Sequence, residues 1–163
     1  MKIFSFILFF IIPILLKSQS YNWINKCGTI WIDDSKLCGD ANGNYYLYGT
    51  VGHGLSQGYF YFDNDSTRYY GLGDIFVSKI DSSGSIVWSR TFGSHSNGAI
   101  TEGGSAFYDV GSNSIFINCF ISDPDVYFGN LFFQNNTPPG RYIAKLNANG
   151  SFEWAKPYLQ DIY

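Results

Sequence analysis

The chain has 163 residues, of which 20% are aromatic and 14% are charged, and its formal net charge is −3. This content of aromatic side chains is high enough to build a packed core, which excludes a disordered chain. The mild negative charge and the lack of any run of lysine or arginine exclude binding to the phosphate backbone of nucleic acids.

The first segment, residues 1–20, has the pattern of a secretory signal peptide. A lysine stands near its start, residues 3–16 are almost wholly apolar, and a short polar stretch follows. A membrane-spanning helix needs about 20 apolar residues, whereas this stretch is shorter and contains Pro13. We therefore expect cleavage near Ser18 or Ser20, with no membrane span left in the mature protein.

Export would place the cysteines in a compartment where disulfides persist. Cys27 lies too far beyond the expected cleavage site to carry a lipid. A bridge between Cys27 and Cys38 and two free thiols are both open, because the sequence does not give the distance between their Cα atoms. The thiols have no nearby histidines and make a poor zinc site, so Cys119 is predicted to be a buried apolar cysteine.

Long segments of the chain repeat each other. Residues 79–90 match residues 145–156 in character, position by position, at an offset of 66 residues (145 − 79). Residues 40–48 match residues 109–117 at an offset of 69 residues (109 − 40). Blocks that recur in the same order at almost the same spacing indicate a repeat protein.

The tryptophans mark the repeats. Trp23 and Trp88 lie at matching positions, 65 residues apart (88 − 23). The sequence therefore predicts a first repeat over residues 21–87, a second over residues 88–153, and the start of a third over residues 154–163.

Each repeat is predicted to contain only strands, about four of them. Residues 74–80 are rich in β-branched and aromatic side chains, residues 81–84 form a turn that ends in glycine, and residues 85–92 return as a second strand. A similar turn at residues 40–44 precedes a predicted strand over residues 45–51.

Two insertions make these repeats longer than the roughly 40–50 residues of a common propeller blade. They cover residues 52–73 and 122–140, and both contain several aromatic side chains. We expect each insertion to add a short strand or to cover the edge of a sheet.

Three successive blocks carry a resemblance to a known family: Asp-Ile-Phe-Val-Ser-Lys-Ile-Asp from Asp74, Ser-Gly-Ser-Ile-Val-Trp ending at Trp88, and Phe92-Gly93. The succession resembles the β-propeller repeats of exported bacterial surface proteins, of the seven-bladed type. Together with the strand pattern, the resemblance implies an all-β fold of antiparallel four-stranded repeats. It would be a partial β-propeller of about two blades plus the start of a third.

No constellation of residues indicates catalysis, and we assign no catalytic residue. His53 and His95 lie in turns rich in glycine or serine, without a nucleophile motif, so they are predicted to be surface histidines. Nothing in the spacing of the acidic residues selects a carboxylate pair for glycoside cleavage. The acidic candidates are Asp33, Asp34, Asp40, Glu102 and Asp109. Asp40 and Asp109 recur in equivalent turns, which indicates a capping role.

Metal and cofactor sites are not predicted either. Residues 63–65 begin like a calcium loop with Asp74 at the twelfth place, but Arg68 stands where that loop needs glycine. Residues 123–125 match no better. Residues 71–74 are rich in glycine, yet they open a strand and no helix follows to hold a phosphate.

Recurring tryptophans indicate a core position, since a ligand-stacking tryptophan would be unique to one loop. These tryptophans are Trp23, Trp88 and Trp154. The tyrosine pairs at residues 45–46 and 69–70 remain candidate surface aromatics. Accordingly, Tyr69→Ala is expected to cost far less stability than Trp88→Ala.

The resemblance implies a non-catalytic, secreted or cell-surface protein with a binding, adhesion or scaffold role. Its partners would be an extracellular protein or glycan and further blades of its own chain. The alternative is the amino-terminal part of a propeller-based hydrolase or quinone-type oxidoreductase, with its active site beyond residue 163. Because propellers close with about four to eight blades, residues 21–163 alone are expected to self-associate.

Overall fold

The computed structural model describes residues 27–28, 32–52, 57–62, 65–70, 72–96, 101–133 and 140–158. The predicted signal peptide, Trp23, His53 and the first two residues of the calcium-like segment lie outside these ranges. Within them, every regular element is a β-strand. No helix in the described part of the chain is long and apolar enough to cross a membrane.

Thirteen strands follow one another along the described residues. They are β1 (Cys27–Gly28), β2 (Ile32–Gly39), β3 (Tyr45–Val51), β4 (Gln57–Phe62), β5 (Asp65–Tyr70), β6 (Asp74–Ile80), β7 (Ile86–Phe92), β8 (Thr101–Asp109), β9 (Ser114–Ile121), β10 (Val126–Phe128), β11 (Leu131–Phe133), β12 (Gly140–Asn147) and β13 (Phe152–Tyr158).

Eight of these strands form two antiparallel four-stranded sheets with the same topology. The first sheet has the order β2-β3-β6-β7 and the second the order β8-β9-β12-β13. In each, a hairpin is inserted between the second and third strands: β4–β5, joined by β1, in the first and β10–β11 in the second. The predicted all-β fold of antiparallel four-stranded repeats is confirmed, and two stacked sheets of this kind match a partial propeller.

The sheets are displaced from the sequence repeats. Trp88 lies in β7 and Trp154 in β13, so each tryptophan lies in the last strand of a sheet and not in the first. The first sheet accordingly extends from residue 32 to residue 92. Sequence periodicity gives the length of a repeat but leaves its starting point open, and hydrogen bonding between strands decides where a sheet begins.

The same turn closes the last hairpin of both sheets. The side chain of Asp81 accepts hydrogen bonds from the backbone N–H groups of Ser83 and Ser85 at 2.8 and 2.9 Å. In the second sheet, the side chain of Asn147 accepts from those of Asn149 and Ser151 at 3.0 and 3.1 Å. Gly84 and Gly150 follow with φ of 88° and 78°, which an L side chain rarely adopts. The predicted turn chemistry therefore holds in both copies.

The two sheets pack against each other over an apolar interface. The first sheet contributes Tyr46, Tyr48, Ile75, Val77, Trp88 and Phe92, and the second contributes Ile115, Ile117, Cys119, Ile121, Tyr142, Ala144, Leu146 and Ala155. None of these side chains is more than 8% exposed. The predicted core position of Trp88 is confirmed, and the indole N–H also donates to the carbonyl of Ala148 at 3.1 Å.

A second core lies between the first sheet and its inserted hairpin. Phe60, Phe62 and Tyr69 from the hairpin cover Val51 and Phe76 of the sheet. The interpretation of Tyr69 as a surface aromatic is wrong, because this side chain is only 2% exposed. Alternation along β5 turns Tyr69 toward the sheet and leaves Tyr70 on the opposite side. Tyr69→Ala would therefore also open a cavity.

The second tyrosine pair divides in the same way. Tyr46 is 1% exposed and faces the second sheet, whereas Tyr45 is 39% exposed. Only Tyr45 and Tyr70 are therefore left as surface aromatics of the two predicted pairs.

Irregular residues interrupt all four outermost strands of the sheets. The pairing of β7 skips Val87, and that of β13 skips Glu153. The pairing of β2 slips between Asp33 and Lys36, and that of β8 slips between Gly103 and Ser105. Pro157 lies in β13, the last strand of the second sheet. Proline has no N–H to donate, so it is confined to edge strands of this kind.

Candidate functional site

The inserted hairpin β4–β5 has an apolar and a solvent-facing side. Tyr59 and Tyr61 lie on the solvent side, each 53% exposed, with their ring centroids 6.2 Å apart. Arg68 pairs with Tyr59 across the two strands, so it lies on the same side. Its guanidinium donates to the side-chain oxygen of Gln57 at 2.7 Å and lies 4.6 Å from the ring centroid of Tyr70.

The row of side chains continues from this hairpin to the hairpin of the second sheet. His95 lies between the rings of Tyr70 and Tyr127, with centroid distances of 4.2 and 3.9 Å. Tyr127 in turn stacks on Phe132, 4.5 Å away. Two backbone hydrogen bonds between Gly93 and Tyr127, at 2.8 and 3.0 Å, hold the connecting segment against β10.

These contacts form a continuous row over both insertions, which we call the hairpin strip. It consists of Tyr59, Tyr61, Arg68, Tyr70, His95, Tyr127 and Phe132. Exposed tyrosines beside an arginine are typical of recognition surfaces, because they combine a large apolar area with hydrogen-bonding groups. The strip is therefore the candidate binding surface of the chain.

The surroundings of the His95 imidazole disfavour its protonated form. Partial burial between two rings and the nearby positive charge of Arg68 lower the pKa of His95 below its ordinary value. His95 lies at the surface, as predicted, but stacking holds it in the strip. The sequence gives no sign of this stacking, because its partners come from two separate insertions.

We expect His95 to titrate below pH 6.5, the ordinary value for the side chain. Its lowered pKa means that the unfolded chain binds this proton more tightly, so the contribution of His95 to stability is lost as pH falls. Titration of the imidazole by NMR would measure the midpoint. In an Arg68→Gln variant the midpoint should rise, and a midpoint above pH 6.5 in the parent would contradict the described environment.

The acidic candidates that recur in turns serve those turns. Asp40 accepts hydrogen bonds from the backbone N–H groups of Asn42 and Asn44, both at 2.9 Å. Partial burial opposes ionisation, but its hydrogen bonds together hold the pKa of Asp40 below the ordinary value. Asp109 accepts from the hydroxyl and N–H of Ser112, and these bonds lower its pKa as well. The capping role predicted for both is confirmed.

Of the other acidic candidates, the structure describes only the side chain of Glu102. Glu102 is an exposed residue of β8. Asp33 and Asp34 belong to β2, in the other sheet, and their side chains lie outside the described part.

The calcium-like segment is a strand where the structure describes it. Residues 65–70 form β5, and the side chain of Arg68 turns to Gln57. Among the described residues, no group of three or more His, Cys, Asp or Glu side chains could hold a metal ion.

Asp123 has a structural task that the sequence does not indicate. Its carboxylate accepts from the hydroxyl of Ser94 at 2.6 Å and from the N–H of Asp125 at 2.7 Å. These bonds outweigh the effect of burial and lower the pKa of Asp123. The pair ties the segment after β7 to the segment before β10, next to the hairpin strip.

Asp74 is a buried acidic side chain at the start of β6. It is 2% exposed, and its Oδ2 accepts from the N–H of Tyr70 at 2.7 Å. Its Oδ1 and the Oγ1 of Thr101 have no hydrogen-bond partner among the described residues. A Cβ on Gly93 would lie 2.5 Å from the first oxygen and 2.9 Å from the second, so only glycine fits between them. Burial raises the pKa of Asp74 to about 8, although the hydrogen bond from the N–H of Tyr70 opposes this rise.

Cys38 and Cys119 are free cysteines. Cys38 is half-buried and unbridged, so the possible disulfide with Cys27 is not formed. Cys119 is buried in the interface between the sheets, as predicted, and burial raises the pKa of its thiol. Neither thiol belongs to the hairpin strip.

Comparison with known proteins gives no match, neither to a protein family nor to a curated protein. What the hairpin strip binds is therefore inferred from its own side chains.

Proposed function

We propose that the chain is part of a secreted or cell-surface repeat protein of the β-propeller type, with a binding, adhesion or scaffold role and no catalytic residue. In this proposal the hairpin strip contacts the ligand, an extracellular protein or glycan. The strip carries the proposal, because it joins the insertions of two successive sheets into one exposed aromatic surface.

The distribution of side chains indicates that the sheets form a rigid framework and that the insertions form the binding surface. In each sheet the inner side chains pack in the core, and the turn carboxylates accept hydrogen bonds from the backbone of their own turn. The insertions add the exposed aromatic rings of Tyr59, Tyr61 and Phe132, with the guanidinium of Arg68 beside the first two. Binding residues often lie on connecting segments that a rigid scaffold positions.

The binding role can be tested by replacing the two most exposed rings of the strip. Tyr59→Ala combined with Tyr61→Ala is expected to weaken binding of a ligand about tenfold or more, since truncating exposed aromatic anchors commonly costs more than 1 kcal/mol. Screening of the full chain on glycan and extracellular-protein arrays, followed by affinity measurement on both forms, would show the change.

Val110→Ala is the matched control, because Val110 is 69% exposed and lies in the β8–β9 turn. It should leave the affinity unchanged. Equal affinities for the tyrosine variant and the parent would contradict the assignment of the strip. Binding to no glycan or protein on the arrays would contradict the binding role itself.

A further inference from the structure

The second sheet has a side that nothing in the described chain covers. Alternation along its strands turns one set of side chains toward the first sheet and the other set outward. We call the second set the outer face: Ser105, Phe107, Phe116, Asn118, Ile143, Lys145 and Trp154. Phe107 is 57% exposed and Ile143 39% exposed, and a shallow pocket of about 210 Å³ lies between them.

Strand pairing shows what this face corresponds to in the first sheet. Trp88 pairs with Lys79 and Trp154 pairs with Lys145, so the two tryptophans occupy the same place in their sheets. The same comparison of registers matches Cys38 with Phe107, Tyr46 with Phe116, Tyr48 with Asn118, and Val77 with Ile143. The outer face is therefore the equivalent of the face that the first sheet buries against the second.

The side chains of the outer face are already arranged as they are in the buried interface. The ring centroids of Tyr46 and Trp88 are 6.2 Å apart, and those of Phe116 and Trp154 are 5.9 Å apart. A basic side chain lies over each tryptophan ring, at 5.7 Å in the first sheet and 5.5 Å in the second. The outer face therefore already has the pairing of aromatic rings and the basic side chain found in the buried interface.

The existing interface also shows what a tryptophan at this place contacts. Trp88 packs so closely on Gly150 that a Cβ there would lie 2.8 Å from the ring. Its N–H donates to the carbonyl of Ala148, two residues before that glycine. Both contacts belong to the turn that closes the last hairpin of the next sheet.

We propose that the outer face docks a further four-stranded sheet of the same repeat type, whose last hairpin turn places a glycine against Trp154 and a backbone carbonyl before its indole N–H. This inference rests on the repeat architecture of the proposed function. The contact would join two different faces, as the present interface does, and such head-to-tail contacts can be repeated from unit to unit.

The test extends the full chain with a copy of residues 93–158 inserted directly after Tyr158. Hydroxyl-radical footprinting read by mass spectrometry would measure the modification of Trp154 and Phe107 in the parent and in the extended chain. In the extended chain, we expect modification of Trp154 to fall to the level of the buried Trp88.

A second extended chain guards against a poor fit of the copied sheet. It carries Phe116→Tyr, Asn118→Tyr and Ile143→Val, which give the outer face residues found at the matching places of the first sheet. Trp154→Ala in either folded extended chain should lower the midpoint of urea unfolding more than it does in the parent. Exposure of Trp154 at the parent level in both extended chains would overturn the proposal.

This test is independent of the hairpin strip. Loss of ligand binding in the Tyr59 and Tyr61 variant leaves the footprint of Trp154 unchanged. Conversely, failure of the added sheet to cover Trp154 leaves the affinity of the parent for its ligand unchanged, so the two proposals can fail separately.

Discussion

Replacing Trp88 with alanine is expected to lower the free energy of unfolding by about 3–5 kcal/mol, the range for deleting a large buried aromatic side chain. Trp88 is 7% exposed and lies between Tyr46 of its own sheet and Gly150 of the other. The variant loses this packing and leaves a cavity at the contact between the sheets. Urea denaturation followed by circular dichroism would measure the loss.

Val87→Ala is the matched control, since Val87 adjoins Trp88 in β7 but is 52% exposed. It should cost well under 1 kcal/mol, as most exposed substitutions do. Equal small losses for both variants would show that the tryptophan does not hold the two sheets together.

The second large effect concerns pH. Asp74 has a pKa of about 8 in the folded chain, against an ordinary value of 3.8. The folded state therefore keeps a proton that the unfolded state releases, and the stability from this group is complete below pH 3.8 and is lost as pH rises through 8. Between these limits we expect the free energy of unfolding to fall by up to about 1.4 kcal/mol per pH unit from this group alone.

Asp74→Asn should remove this dependence and should make the chain more stable than the parent at pH 8. An asparagine keeps an oxygen that can accept from the N–H of Tyr70, and its amide stays uncharged across this pH range. Glu102→Gln, on an exposed residue of β8, is the control and should keep the slope. Chemical denaturation from pH 4 to 8 would compare the three forms. An unchanged slope in Asp74→Asn would mean that Asp74 is ionised in the folded chain.

Local sequence signals were enough to predict several of the strands and the turns that bound them. The predicted strands over residues 45–51 and 74–80 agree with β3 and β6, because glycine-containing turns bound them and β-branched or aromatic residues fill them. The side that a tyrosine faces was harder to predict. Tyr69 and Tyr70 are neighbours in sequence, but only the position of the sheet beneath β5 decides which of them is buried.

The hairpin strip could be predicted only in part. Aromatic residues in both insertions were visible in the sequence, and they indicated a covering or functional role. Their alignment into one row depends on His95 lying between Tyr70 and Tyr127. These three residues come from separate segments of the chain, which meet only when the two sheets are packed together. The partnership of Asp123 with Ser94 depends on the same stacking.

The interruptions in the outer strands determine how chains of this kind can meet. An exposed strand edge invites another chain to add a strand, which is how cross-β aggregates grow. The slipped pairing in β2 and β8 and the missing N–H of Pro157 in β13 interrupt the regular ladder that such growth copies. Edge-to-edge pairing between molecules is thereby disfavoured relative to contact between sheet faces. We therefore expect a low tendency to form amyloid-like fibres in concentrated solution.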